Sequence, residues 1–228
     1  MKRFMSVILV FLLGIFSVRI ADTAQALRDV ENSVLRLHIL AASDSSADQT
    51  NKLLVRDALL AQSAVWNRGC SNRAEMEETL VAHLPMIEQI AEQTLRENAC
   101  DDPVTASICK MDFPQRQYGD ITLPAGEYEA LCLVIGEGEG QNWWCVMYPS
   151  ICVQSASAPT DAVPSEMMGE LLNDDACALV TDTESYEVRL KCVELFRAIA
   201  DWVTETLSQW HEKSTADKTS AVDIGISE

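Results

Sequence analysis

The chain has 228 residues, 48% of them hydrophobic, and carries 17 basic against 35 acidic side chains for a formal net charge of −18. A chain of this length can bury a real core, in one or two domains, without cross-links to hold it together. So acidic a surface repels the phosphates of nucleic acids and the head groups of anionic lipids, which excludes both as obvious partners.

Lys2 and Arg3 precede an apolar run from Phe4 to Phe16, and Ala24-Gln25-Ala26 has the small-x-small form of a processing site. Residues 1–26 therefore read as a signal peptide or signal-anchor. The run is short for a bilayer span of ~20 residues and Arg19 lies just beyond it, which favours cleavage after Ala26. An uncleaved anchor stays open, because Val18 and Ile20 extend the run if Arg19 snorkels. Cleavage removes three basic and one acidic side chain, taking the charge from −18 to −20. All eight cysteines (70, 100, 109, 132, 145, 152, 177 and 192) lie beyond this segment, and an even number in an exported chain points to disulfides. Cys132, inside an apolar run, also reads as a plain small core residue. There is no Cys-x-x-Cys and no zinc-like spacing, so neither a metal nor a cofactor is expected.

After a short lead-in over Leu27 to Ser33, the alternation from Val34 to Ala41 predicts a strand with Leu35, Leu37, Ile39 and Ala41 on a fully apolar face. Val34, Arg36, His38 and Leu40 form a mixed face, so one buried side is expected. Ser43 to Ser46 is rich in capping residues. Leu54, Ala58, Ala61 and Val65 mark a helix that Gly69 ends. A second helical region starts at Ser71 or Asn72 and runs to about Asn98. Pro85 divides it into two helices or kinks it at Leu84. Val104 to Met111 predicts a strand, Phe113 to Asp120 a connection, and Ile121 to Leu123 a short strand.

Tyr128 to Ile135 reads as a strand covered on both faces. Gly136, Gly138 and Gly140, with Glu137 and Glu139 between them, then lead into Asn142-Trp143-Trp144-Cys145, which predicts a β-hairpin with a glycine-rich turn. Strand alternation puts Trp143 and Trp144 on opposite faces. Residues 154–183 shift to Ser, Ala, Pro and Asp and read as a linker with a short helical patch at Glu166 to Leu172. A C-terminal helix with a wide apolar stripe is expected over residues 184–211, and a disordered tail over 212–228. The order of elements predicts an α+β fold: a small, mostly antiparallel sheet with helices packed on one face, plus the C-terminal helix.

The chemistry-bearing residues are few. The Gly-Glu-Gly-Glu-Gly run would turn two carboxylates toward a phosphate and lacks a following Lys-Ser/Thr, so it is no phosphate loop. Glu127 and Glu129 share a strand face at about 7 Å, a glycosidase-like separation that keeps a secreted hydrolase as an alternative. His38, His83 and His211 are the only histidines, and no Gly-x-Ser-x-Gly elbow occurs. His38 fits a hydrogen-bonded structural role. Cys145 and Cys152, seven apart around Pro149, are near enough to bridge a turn.

The runs Leu35-Arg-Leu-His-Ile-Leu-Ala-Ala-Ser-Asp44, Tyr118-Gly119, Pro124-Ala-Gly-Glu-Tyr-Glu-Ala130 and Ile135-Gly-Glu-Gly-Glu-Gly-Gln-Asn-Trp-Trp-Cys-Val146 resemble the stage II sporulation protein R family. Pro149-Ser-Ile-Cys152 is similar as well, with Ser150 where a second proline is common. The resemblance covers about residues 34–153, which it marks as one α+β domain. It implies an intercellular signal of endospore formation, not an enzyme. Such a signal is exported from the forespore to the space between the forespore and mother-cell membranes. There it activates a membrane-embedded aspartic protease of the mother cell, which processes the precursor of sigma factor E. On that expectation Trp143 or Trp144 is the aromatic anchor of a partner-binding surface, with Asn142 as an orienting amide. Glu127, Glu137 and Glu139 are rim charges, and Arg36, His38 and Asp44 share that face or brace it.

Overall fold

Leu35–Leu40 (β1) lies inside a sheet, with a strand on each side. The computed structural model describes residues 2–151 and 164–182. The chain divides into two units, Met1–Ala24 with Glu184–Glu228, and Gln25–Thr183. Of the first unit, the amino-terminal part of helix α1 (Lys2–Ser33) is described. The C-terminal helix expected over 184–211, the tail over 212–228, and Cys152 lie outside the described residues.

The second unit holds β1, α2 (Ser46–Trp66), α3 (Arg73–Glu97), β2 (Val104–Phe113), β3 (Arg116–Tyr118), β4 (Ile121–Leu123), β5 (Gly126–Ile135), β6 (Asn142–Tyr148), α4 (Pro164–Leu171) and α5 (Asp174–Thr181). The main sheet runs β2-β5-β1-β6, and β3 pairs with β4 as a separate antiparallel ribbon. β1 is parallel to β5 and antiparallel to β6, and β2 is antiparallel to β5. Two of the three pairings in the main sheet are therefore antiparallel. The expected α+β class with a mostly antiparallel sheet stands. The parallel pair needs a long crossover, and α2 and α3 supply it.

Local chemistry accounts for the helices. Ser45 caps α2 by accepting from the Asp48 amide, and Asn72 caps α3 by accepting from the Glu75 amide. Met76, Leu80, Ile87, Ala91 and Leu95 form the buried stripe of α3. Pro85 neither divides nor ends this helix. The carbonyl that loses its donor to Pro85 belongs to Val81, a residue 52% exposed, where water is at hand. Glu88 of α3 reaches the sheet edge, its Oε1 accepting from the Ala106 amide of β2 at 2.8 Å.

Several expectations need correcting. β1 is buried on both faces, because Arg36 and His38 on the mixed face are 0% and 6% exposed. β5 and β6 do not form a hairpin, since β1 is inserted between them. The glycine-rich run is instead a bridge over the end of β1. The amides of Glu139 and Gly140 donate to the carbonyls of Ala42 and Ala41 (3.1 and 2.9 Å). A side chain at Gly140 would stand 2.3 Å from the Ser43 carbonyl oxygen, and Gly138 combines a φ of +67° with close contact to Val134 and Leu40. Leu27 to Ser33 is helical and packed, not a lead-in, with Leu27 and Val30 buried. The helical patch appears as α4. A second helix, α5, follows within the stretch read as linker, capped by Asn173, whose side chain accepts from the Ala176 amide.

Candidate functional site

The register of β1, β5 and β6 determines which of the singled-out residues meet. Arg36 lies opposite Val146, His38 opposite Trp144 and Leu40 opposite Asn142, so these residues share one face of the sheet. Trp143 belongs to the other face, as strand alternation requires. The two tryptophans are each half-buried, and Asn142 is exposed.

On the first face, the His38 ring stacks on Trp144 with centroids 4.4 Å apart, and Nε2 donates to Asn142 Oδ1 at 2.5 Å. Burial pushes the imidazole below its ordinary value. The Asn142 bond opposes that shift, and the Lys52 ammonium adds to it. Phe113 meets Trp144 edge-on at 4.8 Å and Tyr128 at 5.9 Å. Arg36 is packed among these rings. Its guanidinium carbon lies 4.4 Å from the centre of Phe113, 4.9 Å from Tyr128 and 5.5 Å from Tyr118. Its Nε donates to the Cys145 carbonyl (3.0 Å) and its Nη2 to the Tyr118 hydroxyl (2.9 Å), while Nη1 has no hydrogen-bond partner among the described residues. Burial lowers the Arg36 pKa and raises that of Tyr118. Tyr118 in turn donates to the Trp144 carbonyl at 3.3 Å, so the β3–β4 ribbon is latched over the cage.

On the opposite face, Arg56 of α2 stacks over Trp143 at 4.4 Å and pairs with Asp57. Lys52, one turn earlier, is buried and donates to the Gln141 carbonyl (2.8 Å) and to Gln49 Oε1 (2.6 Å). Helix α2 thus grips the segment that presents Asn142 and both indoles.

The acidic candidates are spread out. Glu137 and Glu139 are exposed on the glycine bridge, and Asp44 is exposed in the turn before α2. Glu127 lies 57% exposed and paired to Lys110 at 2.7 Å. Glu127 and Glu129 do lie on one face, but a water-facing carboxylate held by a lysine lacks the desolvation that acid catalysis requires. The two described histidines hydrogen-bond Asn142 and the Thr79 carbonyl, and those bonds activate no serine or cysteine. Among the described residues no group of three or more His, Cys, Asp or Glu is placed to hold a metal ion.

The fold therefore brings Arg36, His38, Asn142 and Trp144 into one cluster, sets Trp143 behind it, and leaves Glu127 elsewhere. Sequence reasoning missed Lys52, Arg56, Phe113, Tyr118 and Tyr128 as its supports. Only Tyr118 and Tyr128 lay in runs with a visible pattern. Cys132 is not a free core thiol: it is bonded to Cys109 across β2 and β5. Cys145 is disulfide-bonded too, and Cys152 lies outside the described residues.

A sequence model described as Stage II sporulation protein R matches residues 31–158. A protein of Bacillus subtilis (strain 168) with that same description is 29% identical over 187 residues, covering 78% of this chain and 84% of its own. No solved structure matches the chain. The matched stretch exceeds half the chain and contains the whole sheet with the aromatic cage, and the chain belongs to the stage II sporulation protein R family.

Proposed function

We propose that this protein is an exported signal of endospore formation that acts by contact. It leaves the forespore and activates a membrane-embedded aspartic protease of the mother cell, which then processes the precursor of sigma factor E. Family membership is the single observation that carries this reading. The geometry adds support, because two half-buried indoles and an exposed amide stand on a segment braced from both sheet faces. Large aromatics held rigid at a rim are what binding hot spots consist of, since little entropy remains to be lost on docking. The exposed Glu137 and Glu139 beside them suit steering toward a basic partner surface.

The test combines removal and contact. Removing the chain from sporulating cells should abolish processing of the sigma precursor, and normal processing without it would end the proposal. A photo-crosslinker at position 143 or 144 should capture the mother-cell protease. If a folded protein gives no crosslink at either position while signalling continues, the contact surface lies elsewhere and only the signalling role survives.

A further inference from the structure

Ala24-Gln25-Ala26 has the form of a processing site in sequence, yet the fold places it inside α1 with core residues immediately after it. Ala26, Leu27 and Val30 are 4%, 5% and 0% exposed. Three further ties fasten the same turns to separate elements of their unit. Asn173, the cap of α5, donates through Nδ2 to Asp29 Oδ2 at 2.7 Å. Arg73 at the start of α3 donates through Nε to the Asn32 carbonyl at 2.8 Å. The Glu31 carboxylate occupies the space that a side chain at Gly126 of β5 would need.

We infer that the Ala26–Leu27 bond stays intact in the working protein, and that Gln25 to Ser33 is a permanent wall of the domain. Hydrolysis there would add water across the peptide bond and leave an ammonium group on Leu27. In the intact chain Leu27 is 5% exposed, so the bond is shielded while α1 stays packed. The new ammonium would stand at the amino end of the short remnant Leu27–Ser33, where the helix dipole repels positive charge. Peptide-recognising clefts take extended segments, whereas these residues are helical, with Ala26, Leu27 and Val30 facing the core. A cut after folding needs α1 to unwind first. A cut before folding leaves the new ammonium at the very start of the wall and removes the turn of α1 that holds Gln25 and the buried Ala26. Folding and processing at this bond are therefore in competition, and the buried apolar turns favour folding. The inference is independent of the signalling role, because it concerns only which residues the folded domain contains.

The full chain, recovered from the exported fraction of a host that secretes it, should give an intact mass whose amino terminus lies at or upstream of Gln25. A main species beginning at Leu27 would overturn the inference. In the same preparation the amides of residues 27–33 should exchange at least about 100-fold more slowly than in an unstructured chain, as expected of packed helix. Exchange at the unstructured rate in an uncut chain would overturn it as well.

Discussion

The His38 ring lies stacked on Trp144 of the neighbouring strand, 25° from parallel, and its Nε2 donates to Asn142 Oδ1 of that strand. Two motifs about a hundred residues apart in sequence are thereby one structural object. The segment displaying the indoles is held by a buried imidazole on one side and by Lys52 and Arg56 of α2 on the other.

Titration of His38 should appear in the stability of the protein. Its folded pKa lies below the ordinary 6.5, so below pH 6.5 the unfolded chain binds a proton that the native chain refuses until its own lower value is reached. Stability therefore rises with pH across that window and falls as the solution is acidified, by up to about 1.4 kcal/mol per pH unit. Glutamine at this position cannot ionise. The stability of the wild type minus that of H38Q, from urea melts, should decline between about pH 7.5 and about pH 5.5. A difference independent of pH would show that the folded imidazole titrates like a free one.

The Tyr118 hydroxyl is the acceptor for Arg36 Nη2, and among the described residues Nη1 already lacks a partner. Tyr118→Phe keeps the ring over the guanidinium while removing the acceptor. A buried cationic donor left unsatisfied should cost about 2 kcal/mol, read as a lower unfolding midpoint. A change below about 0.5 kcal/mol would mean that the three rings and the Cys145 carbonyl hold Arg36 by themselves.

Gly140 and Gly69 separate two reasons for glycine. Gly69 has a φ of +87° with open space around it, so alanine there meets only backbone strain, about 1 kcal/mol. Gly140 has no such φ, but a methyl group there would overlap the Ser43 carbonyl, which is itself held by the Gln49 side chain of α2. Gly140→Ala should cost more than Gly69→Ala, about 2–3 kcal/mol, and should disturb Asn142 nearby. Equal costs in thermal melts would mean that the bridge can shift away freely.

Local pattern was enough to read α2, the helical region of α3, the patch at α4, the covered strand β5 and the opposite facing of Trp143 and Trp144, because periodicity and capping act over a few residues. Strand order was not legible. The glycine run with strands on both sides fits a hairpin turn and a bridge over an inserted strand equally well, and only the long-range pairing of β1 decides between them. The cage had the same difficulty. Arg36 on a mixed face looks solvent-facing until Phe113, Tyr118 and Tyr128 are brought over it from far along the chain. Cys132 read as a small core residue because its partner Cys109 sits on a strand whose register could not be known in advance.

The Glu127–Lys110 pair is on the surface, with more than half of each side chain exposed. Replacing Glu127 and Glu129 together by glutamine should leave stability within about 0.5 kcal/mol and leave sigma-precursor processing intact. Loss of processing in a normally folded double variant would favour acid–base chemistry at this pair over a pure contact role.

The Cys109–Cys132 bridge joins the edge strand β2 to β5 next to β1, closing a loop across a separation of 23 residues. Constraining a loop of that size in the unfolded chain contributes about 3 kcal/mol. Alanine at both positions keeps the strands and their apolar character but removes the cross-link, so the unfolding free energy should fall by about 2–4 kcal/mol. The oxidised wild type treated with reductant should lose at least as much, since Cys145 is also disulfide-bonded. Reductant applied to the double-alanine variant then isolates the Cys145 bridge, as any further drop comes from the bonds that remain. If the variant unfolds at the same denaturant concentration as the oxidised protein, the 109–132 bond adds nothing to the fold, and the pairing of β2 with β5 is secured by its ladder and side chains alone.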